Sequence, residues 1–311
     1  MESLPPTPIL GFNPDTLRDV RRQFHLDDVA KIHESVDLIE AWLQKQDYHV
    51  KKDYDRKHLE RAIIFNKGSV EKAKSKIDNI CKFRALHPKY FGPITREQRL
   101  LYPGIVDCIL PKMTSEHERV YLLRNDAKKF EHGLLHYYKY VIALAEYEMA
   151  HDYNNGVIAI FDYMDVDMFV LMKHTNIVEM HLALMIMTEG FGMRVKGLHI
   201  LSKNKGIGVV VKIFKRVLSK KLPNRLQVHK SFDTLYDYVP KDVLPVEYGG
   251  SEKSLRTLYE DNLNEITSQK FQKHLIEMSK AVTNEKLRRK GKVGVSTDND
   301  IPCTFGTLTI D

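Results

Sequence analysis

Apolar side chains in the first third of the chain recur at helical spacing. Between residues 27 and 46 they occur every three or four positions, on one face of an α-helix, at Val29, Ile32, Val36, Ile39 and Leu43. Helical stretches follow at 56–66 and 70–86, and the second should end at His87, because proline disfavours helical backbone in the residue before it. The pattern predicts an all-helical lobe over residues 1–92.

The spacing of apolar residues then becomes that of an α/β domain. Short apolar runs at 105–110 and 120–123 are typical of strands, and long helices are predicted over 132–153 and 173–187. The run at 156–162 is apolar at consecutive positions, as in a central strand covered on both faces. Strands that alternate with helices predict a layered α/β arrangement.

The window 190–230 combines apolar and cationic positions. A strand predicted over 197–201 is followed by Gly206 and Gly208, and then by a helix over 209–221. This helix is apolar on one face and cationic on the other, and the window holds eleven Lys or Arg residues and no Asp or Glu. Because glycines permit a hinge, the pattern predicts a mobile lid helix. Its basic face is either an ordinary solvated surface or one that meets an anionic membrane.

Composition narrows the class of partner and the compartment. A net charge of +7 favours an anionic partner, but no nucleic-acid-binding motif or set of stacking aromatic residues accompanies it, so we predict no nucleic acid. The three cysteines, Cys81, Cys108 and Cys303, are odd in number and widely spaced, which suits a reducing compartment. The N-terminus lacks a signal-peptide pattern, and no stretch approaches the roughly 20 apolar residues of a membrane span. We therefore expect a cytoplasmic protein that meets membranes peripherally and transiently.

Candidate catalytic and metal-binding patterns are incomplete. Gly206 and Gly208 lack the third glycine of a dinucleotide loop and the GK[ST] of a phosphate loop. His132 and His136 stand one helical turn apart without an HExxH pattern, and Asp162 has no spaced His, Ser or Cys partner. The sequence predicts no enzyme activity and no metal or cofactor, with an enzyme that uses Asp162 or the histidines as an alternative.

Methionines concentrate between residues 172 and 187, beside the apolar strand at 156–162. Such residues most often form protein core. The functional alternative is the lining of a lipid cavity, since the flexible methionine side chain suits an oily ligand of irregular shape. The pattern alone leaves both interpretations open.

Five stretches resemble the CRAL-TRIO lipid-binding family. They occur in the family's order and are HLERAIIFNKGSVEKAKSKIDNICKFRALHPKYF (58–91), GVIAIFD (156–162), MRVKGLHIL (193–201), VLSKKLPNRLQVH (217–229) and VLPVEYGG (243–250). The closing FGTLTID is similar to the tail of arthropod members. Departures include Asn66 where the family carries an arginine, Ser202 where it carries an asparagine, and Arg216 where it carries a proline.

The resemblance implies a division of the chain and a function. It implies a helical lobe at 1–92, then a CRAL-TRIO domain at 93–250 whose mixed sheet, flanked by helices, encloses a hydrophobic pocket under a mobile lid helix. A single charged helix over about 259–290 and a basic tail make up residues 251–311. The implied function is non-enzymatic transfer of one tocopherol-, retinoid- or carotenoid-like molecule, by a monomer, at membranes that contain phosphoinositides. The alternative is a phosphoinositide-binding trafficking adaptor with a vestigial or phospholipid-filled pocket.

The resemblance and the charge pattern together assign two sets of site residues. The predicted pocket comprises Val157, Ala159, Phe161, Ile186, Val195, Leu198, Val210, Ile213, Phe214 and Val217. The predicted phosphoinositide-binding residues are Arg194, Lys196, Lys221 and Arg225.

Overall fold

The N-terminal lobe consists of four main helices, and three of them begin at a capping side chain. In the computed structural model, which describes residues 4, 7–127, 132–217 and 223–291, Asp28, Asp55 and Ser69 accept hydrogen bonds from backbone N–H groups in the first turns of the second, third and fourth helices. The helices of the lobe are α1 (Thr16–Gln23), α2 (Val29–Gln44), α3 (Arg56–Phe65) and α4 (Val70–Leu86).

A five-stranded mixed sheet follows the lobe. Its strands are β1 (Ile105–Met113), β2 (Arg119–Asn125), β3 (Val157–Asp162), β4 (Val195–Leu201) and β5 (Leu226–His229). They lie side by side in chain order, with β1 antiparallel to β2 and the other neighbours parallel. Parallel neighbours require crossover helices. The remaining helices are α5 (Arg96–Leu100), α6 (Leu135–His151), α7 (Met168–His174), α8 (Ile177–Met185), α9 (Ile207–Val217), α10 (Leu255–Ile266), α11 (Gln269–Ser279) and α12 (Glu285–Gly291).

Both faces of the sheet are buried. Along β3, Ile158 and Ile160 pack into a core formed with residues 235–258, while Phe161 and Ala159 pack against the core on the opposite face. Successive side chains of a strand point to opposite faces, so one apolar run supplies both cores. The prediction of an N-terminal helical lobe followed by a mixed sheet flanked by helices is confirmed.

Two helix predictions, over 173–187 and over about 259–290, were wrong. The helix expected over 173–187 is divided between α7 and α8, because the Asn176 side chain accepts hydrogen bonds from Val178 and Glu179 N–H and starts a new helix. The final turn before Gly190 is a π-helical segment, Ile186–Gly190.

The C-terminal segment is also more divided than expected. Instead of one helix over about 259–290, the structure contains α10, α11 and α12, and Ser268 caps α11 by accepting a hydrogen bond from Phe271 N–H. Helix α10 packs on the outer strand β1, where the Asn262 side chain accepts from Ile109 N–H at 3.0 Å and donates to Ile109 C=O at 3.2 Å. The predicted basic patch begins in α12, and the residues after 291 lie outside the described residues. Across the described ranges, no helix is both long and apolar enough to span a bilayer.

Candidate functional site

A predominantly apolar cavity lies between the sheet and the helices α6, α7, α8 and α9. Its volume of about 190 Å³ is more than ten times the ~10–15 Å³ that one buried water requires. The lining residues contributed by strands are Ile105, Tyr121, Leu123, Asn125, Val157, Ala159, Phe161, Val195 and Leu198. The lining residues contributed by helices and the segments that join them are Leu134, Tyr137, Tyr138, Val141, Leu144, Ala145, Glu148, Tyr163, Leu171, Thr175, Met180, Ala183, Leu184, Met187, Thr188, Met193 and Phe214.

The structure brings six of the ten predicted pocket residues to this cavity. They are Val157, Ala159, Phe161, Val195, Leu198 and Phe214. Val157, Ala159 and Phe161 alternate along β3, whereas Val195 and Leu198 of β4 are three residues apart, because the register of the β3–β4 pair shifts between them. Phe214 of α9 packs against Phe161 with a ring-centroid distance of 5.6 Å. This contact places α9 over the cavity.

The other four predicted pocket residues are not in the lining. Ile186 is fully buried at the start of the π-helical segment, which packs against α4 of the N-terminal lobe. Val210 is buried in the adjoining core and Ile213 is half-buried, because α9 directs Phe214 inward at this level. The side chain of Val217 lies outside the described residues.

Much of the cavity wall was missed by sequence reasoning. Helix α6 supplies aromatic side chains such as Tyr137 and Tyr138, and β2 supplies Tyr121 and Leu123. The alternation along β2 was a usable signal, because residues 121, 123 and 125 share one face. Of the methionines considered as possible cavity lining, Met180 and Met187 line the cavity, whereas Met172 lies on the surface.

Most of the polar groups in the lining are already hydrogen-bonded within the protein. The Tyr121 hydroxyl donates to Asp107 Oδ2 at 2.7 Å. The Thr175 and Thr188 hydroxyls donate to the carbonyls of Leu171 and Leu184, at 2.7 and 2.9 Å. The buried carboxyl of Glu148 differs, since among the described residues it accepts one long hydrogen bond, from Asn154 Nδ2 at 3.4 Å. Burial, and secondarily the negative charge of Asp152, raise the pKa of Glu148 to about 8.

The outer faces of α7, α8 and α9 expose apolar side chains beside lysines. We call this the mouth surface, because Leu171 and Phe214 on the inner faces of α7 and α9 line the cavity. Its most exposed apolar residue is Phe169, at 72%. Its apolar members are Phe169, Met172, Ile177, Val178 and Val209, and its exposed lysines are Lys173, Lys203, Lys205, Lys212 and Lys215.

The acidic groups of the mouth surface are engaged in local contacts. Asp167 caps α7 by accepting hydrogen bonds from Phe169 and Val170 N–H, and Asp165 pairs with Arg124 at 3.0 Å. Glu179 on α8 lies 3.5 Å from Lys89 of the preceding lobe. The lysines of the surface therefore set its charge.

Three of the four predicted phosphoinositide-binding residues lie at the amino-terminal end of β4. The Arg225 guanidinium is exposed and donates to the Val195 carbonyl, whereas Lys196 Nζ lies 3.6 Å from Glu118 Oε1. Arg194 donates to the Asn154 carbonyl at 3.1 Å and lies over the Phe24 ring, 4.4 Å from its centroid, and burial lowers the pKa of Arg194 to about 10. Lys221 lies outside the described residues.

The alternative chemistry considered from the sequence finds little support in the geometry. Asp162 accepts a 2.7 Å hydrogen bond from the Tyr248 hydroxyl and another from Met164 N–H, as a buried structural carboxyl does. Within the described ranges, no three His, Cys, Asp or Glu side chains are grouped so that they could hold a metal ion.

Comparisons with known proteins agree with this architecture. The family model described as CRAL/TRIO domain matches residues 107–250. Alpha-tocopherol transfer protein-like from Mus musculus is 30% identical over 104 residues, and the Homo sapiens protein of the same name is 29% identical over 104 residues; each match covers 33% of this chain and 30% of the relative. The crystal structure of Sfh5 superposes with a TM-score of 0.50 at 15% identity, over 86% of this chain and 100% of that one. Residues 107–250 of this chain are therefore a CRAL/TRIO domain by sequence match, and the fold of the described residues agrees with that of Sfh5.

Proposed function

We propose that the protein holds one lipophilic molecule in the apolar cavity and transfers it at anionic membranes without covalent chemistry. The observation that carries the proposal is that the helices with inner faces on the cavity, α7 and α9, expose apolar and cationic residues on their outer faces. A ligand that leaves between these helices would enter the membrane directly. Membrane contact would favour an open arrangement of α9, and the ligand would move down its binding gradient.

The mouth surface suits an anionic bilayer better than another soluble partner. Burying an exposed Phe or Ile side chain in the bilayer contributes about 1.5–3 kcal/mol. Each Lys near an anionic surface contributes about 1 kcal/mol. Phe169 with two or three lysines is thus enough for reversible binding and too little for permanent insertion. This supports a cytoplasmic protein that visits membranes transiently.

The finer ligand and headgroup assignments rest on the family resemblance. The cavity, with its aromatic and aliphatic lining, supports a tocopherol-, retinoid- or carotenoid-like cargo. Lys196 and Arg225 are the described cations that we assign to an anionic headgroup. Lys221, which lies outside the described residues, is included from the sequence alone. Arg194 would first have to give up its contacts with Asn154 and Phe24.

Vesicle co-sedimentation tests the proposal. Phe169→Asp should weaken binding to phosphatidylcholine vesicles that contain 20% phosphatidylserine by about tenfold or more, since it removes apolar burial and adds a negative charge. Val246→Asp is the matched control: Val246 is 55% exposed but precedes Tyr248, which packs on the opposite face of the sheet, and its variant should bind like the parent. Equal binding of all three proteins would overturn the membrane assignment.

The same assay separates the headgroup and adaptor hypotheses. With 5% phosphatidylinositol bisphosphate added to the vesicles, the parent protein should bind more strongly, and Arg225→Glu should lose most of that increase. If the variant keeps the increase, Arg225 is not part of the headgroup site. A protein that binds these vesicles but never takes up the neutral apolar dye N-phenyl-1-naphthylamine would instead be a phosphoinositide-binding adaptor.

A further inference from the structure

Glu148 is the one acidic residue among the described residues that line the cavity. It lies in the last turn of α6 and is 3% exposed. Among the lining residues that the structure describes, none is Lys or Arg. An ionised carboxylate here would be a buried charge without a cation in the wall, which is strongly unfavourable.

The cations that contact the residues just after Glu148 are committed to other groups. Arg119 of β2 makes two 2.9 Å hydrogen bonds to the Asp152 carboxylate, at the carboxyl end of α6. Arg61 of α3 donates to the Met149 carbonyl, and Arg194 donates to the Asn154 carbonyl. Glu148 therefore faces the negative charge of Asp152 at least as directly as any positive one.

Asn154 links the two carboxyl groups. Its Nδ2 donates to Asp152 Oδ2 at 2.9 Å and to Glu148 Oε2 at the longer distance of 3.4 Å. The amide thus favours Asp152 as the charged member of the pair. Its weaker contact leaves Glu148 as a carboxylic acid, which has one O–H donor available.

We propose that Glu148 is the polar anchor for the ligand: its neutral carboxyl donates a hydrogen bond to a hydroxyl, carbonyl or ester oxygen of an uncharged lipid. This inference rests on the function proposed above and deepens it, because it assigns a chemical class to the cargo. An uncharged lipid with one oxygen near its end would be bound. A fatty-acid-like anion would be rejected, because its carboxylate would be buried against a wall whose described residues include no Lys or Arg.

The anchor predicts a pH dependence of ligand binding. With the pKa of Glu148 at about 8, raising the pH from 6.5 to 9.5 removes the donor from nearly all molecules. If only the protonated form binds, affinity falls by up to about 30-fold over this interval. Glu148→Gln keeps an N–H donor in the same place but does not titrate, so its affinity should stay constant.

The test is displacement of N-phenyl-1-naphthylamine by 1-hexadecanol and by palmitate, at pH 6.5 and 9.5, with circular dichroism at each pH to verify folding. We expect hexadecanol to bind the parent protein tenfold or more better than palmitate at pH 6.5, and its binding to weaken at pH 9.5. Tyr138→Phe, which removes another hydroxyl from the same lining, should keep the pH dependence, whereas Glu148→Gln should lose it.

Two results would overturn the anchor. One is hexadecanol affinity in the parent protein that does not change with pH, and the other is a Glu148→Gln variant whose affinity falls as the parent's does. After either result, the proposed carrier function would still hold if hexadecanol displaces the dye. Failure of both dye and alcohol to bind the parent protein at either pH would instead refute the carrier function, and the anchor with it.

Discussion

At the scale of single residues, the polar groups beside the cavity show how charge is apportioned in a buried site. Arg119 and Asp152 are both fully buried and are joined by two hydrogen bonds, the geometry of a strong arginine–carboxylate pair. Glu148 lies nearby without such a partner, and its pKa is raised accordingly. The sequence analysis did not single out Glu148. No motif distinguishes a buried carboxyl group that pairs with an arginine from a neighbouring one that does not.

The raised pKa of Glu148 gives a prediction for stability. Between pH 4.5 and about 8 the unfolded chain loses this proton while the folded protein keeps it, so this group lowers the stability of the parent protein as pH rises through that window. Glu148→Gln removes the effect and should become more stable relative to the parent as pH rises, by at most about 5 kcal/mol over the window.

Urea unfolding of the two proteins at pH 5, 6.5 and 8 measures this difference. The comparison cancels every other titrating group that the variant leaves in place. A difference in unfolding free energy that stays constant across the three pH values would contradict the assignment of a neutral Glu148.

At the scale of elements, periodicity predicted most helices and strands but misjudged where helices stop. Helices α2, α4 and α6 and the strands β3 and β4 lie within a few residues of their predicted positions. The breaks between α7 and α8, and between α10 and α11, depend on capping by Asn176 and Ser268. A hydrophobic period continues across such a cap, so periodicity alone does not reveal it.

Helix α9 offers a test of the lid hypothesis. Gly208 is its second residue, and a Cβ atom added there would meet nothing within 4 Å. Gly208→Ala should therefore stabilise the helix by about 0.5–1 kcal/mol without a clash. If the first turn of α9 must open for the ligand to leave, exchange of bound N-phenyl-1-naphthylamine should slow severalfold in stopped-flow mixing.

The control for this experiment lies in another helix. Thr257 is exposed on α10, far along the chain from the cavity, and Thr257→Ala also improves helix propensity. It should leave the exchange rate unchanged. Equal exchange rates in the parent protein and in Gly208→Ala would argue against opening at this end of α9.

At the scale of the whole molecule, the lobes are joined by buried contacts. The Arg84 guanidinium of α4 and the Glu146 carboxylate of α6 pair at 2.6 Å, both almost completely buried. Lys76 of α4 donates to the Thr188 carbonyl at 3.1 Å, and Gly190 packs closely against Ile80. The division of the chain into segments at residues 92 and 250 stays a proposal. These contacts indicate that the lobe and the following domain stabilise one another.

The cavity as a whole could be predicted only in part. The strand side was partly accessible from the sequence, because alternation along β3 fixes which of its residues share a face. In β4, Val195 and Leu198 both line the cavity across a register shift that alternation does not reveal. The helix side was not, since the rotation of α6 and α9 about their axes depends on packing among several elements. Ile213 and Phe214 are neighbours in an apolar run, and only the fold decides that Phe214 faces the cavity.

The central claim, that this protein carries an uncharged lipophile, is tested most directly by what it retains. The purified protein would be incubated with a total lipid extract, re-isolated by gel filtration, and extracted with organic solvent for mass spectrometry. We predict about one molecule of an uncharged lipid with a hydroxyl, carbonyl or ester oxygen per protein chain. An extract without stoichiometric lipid, from protein that remains folded, would contradict the carrier function and favour the phosphoinositide-binding adaptor.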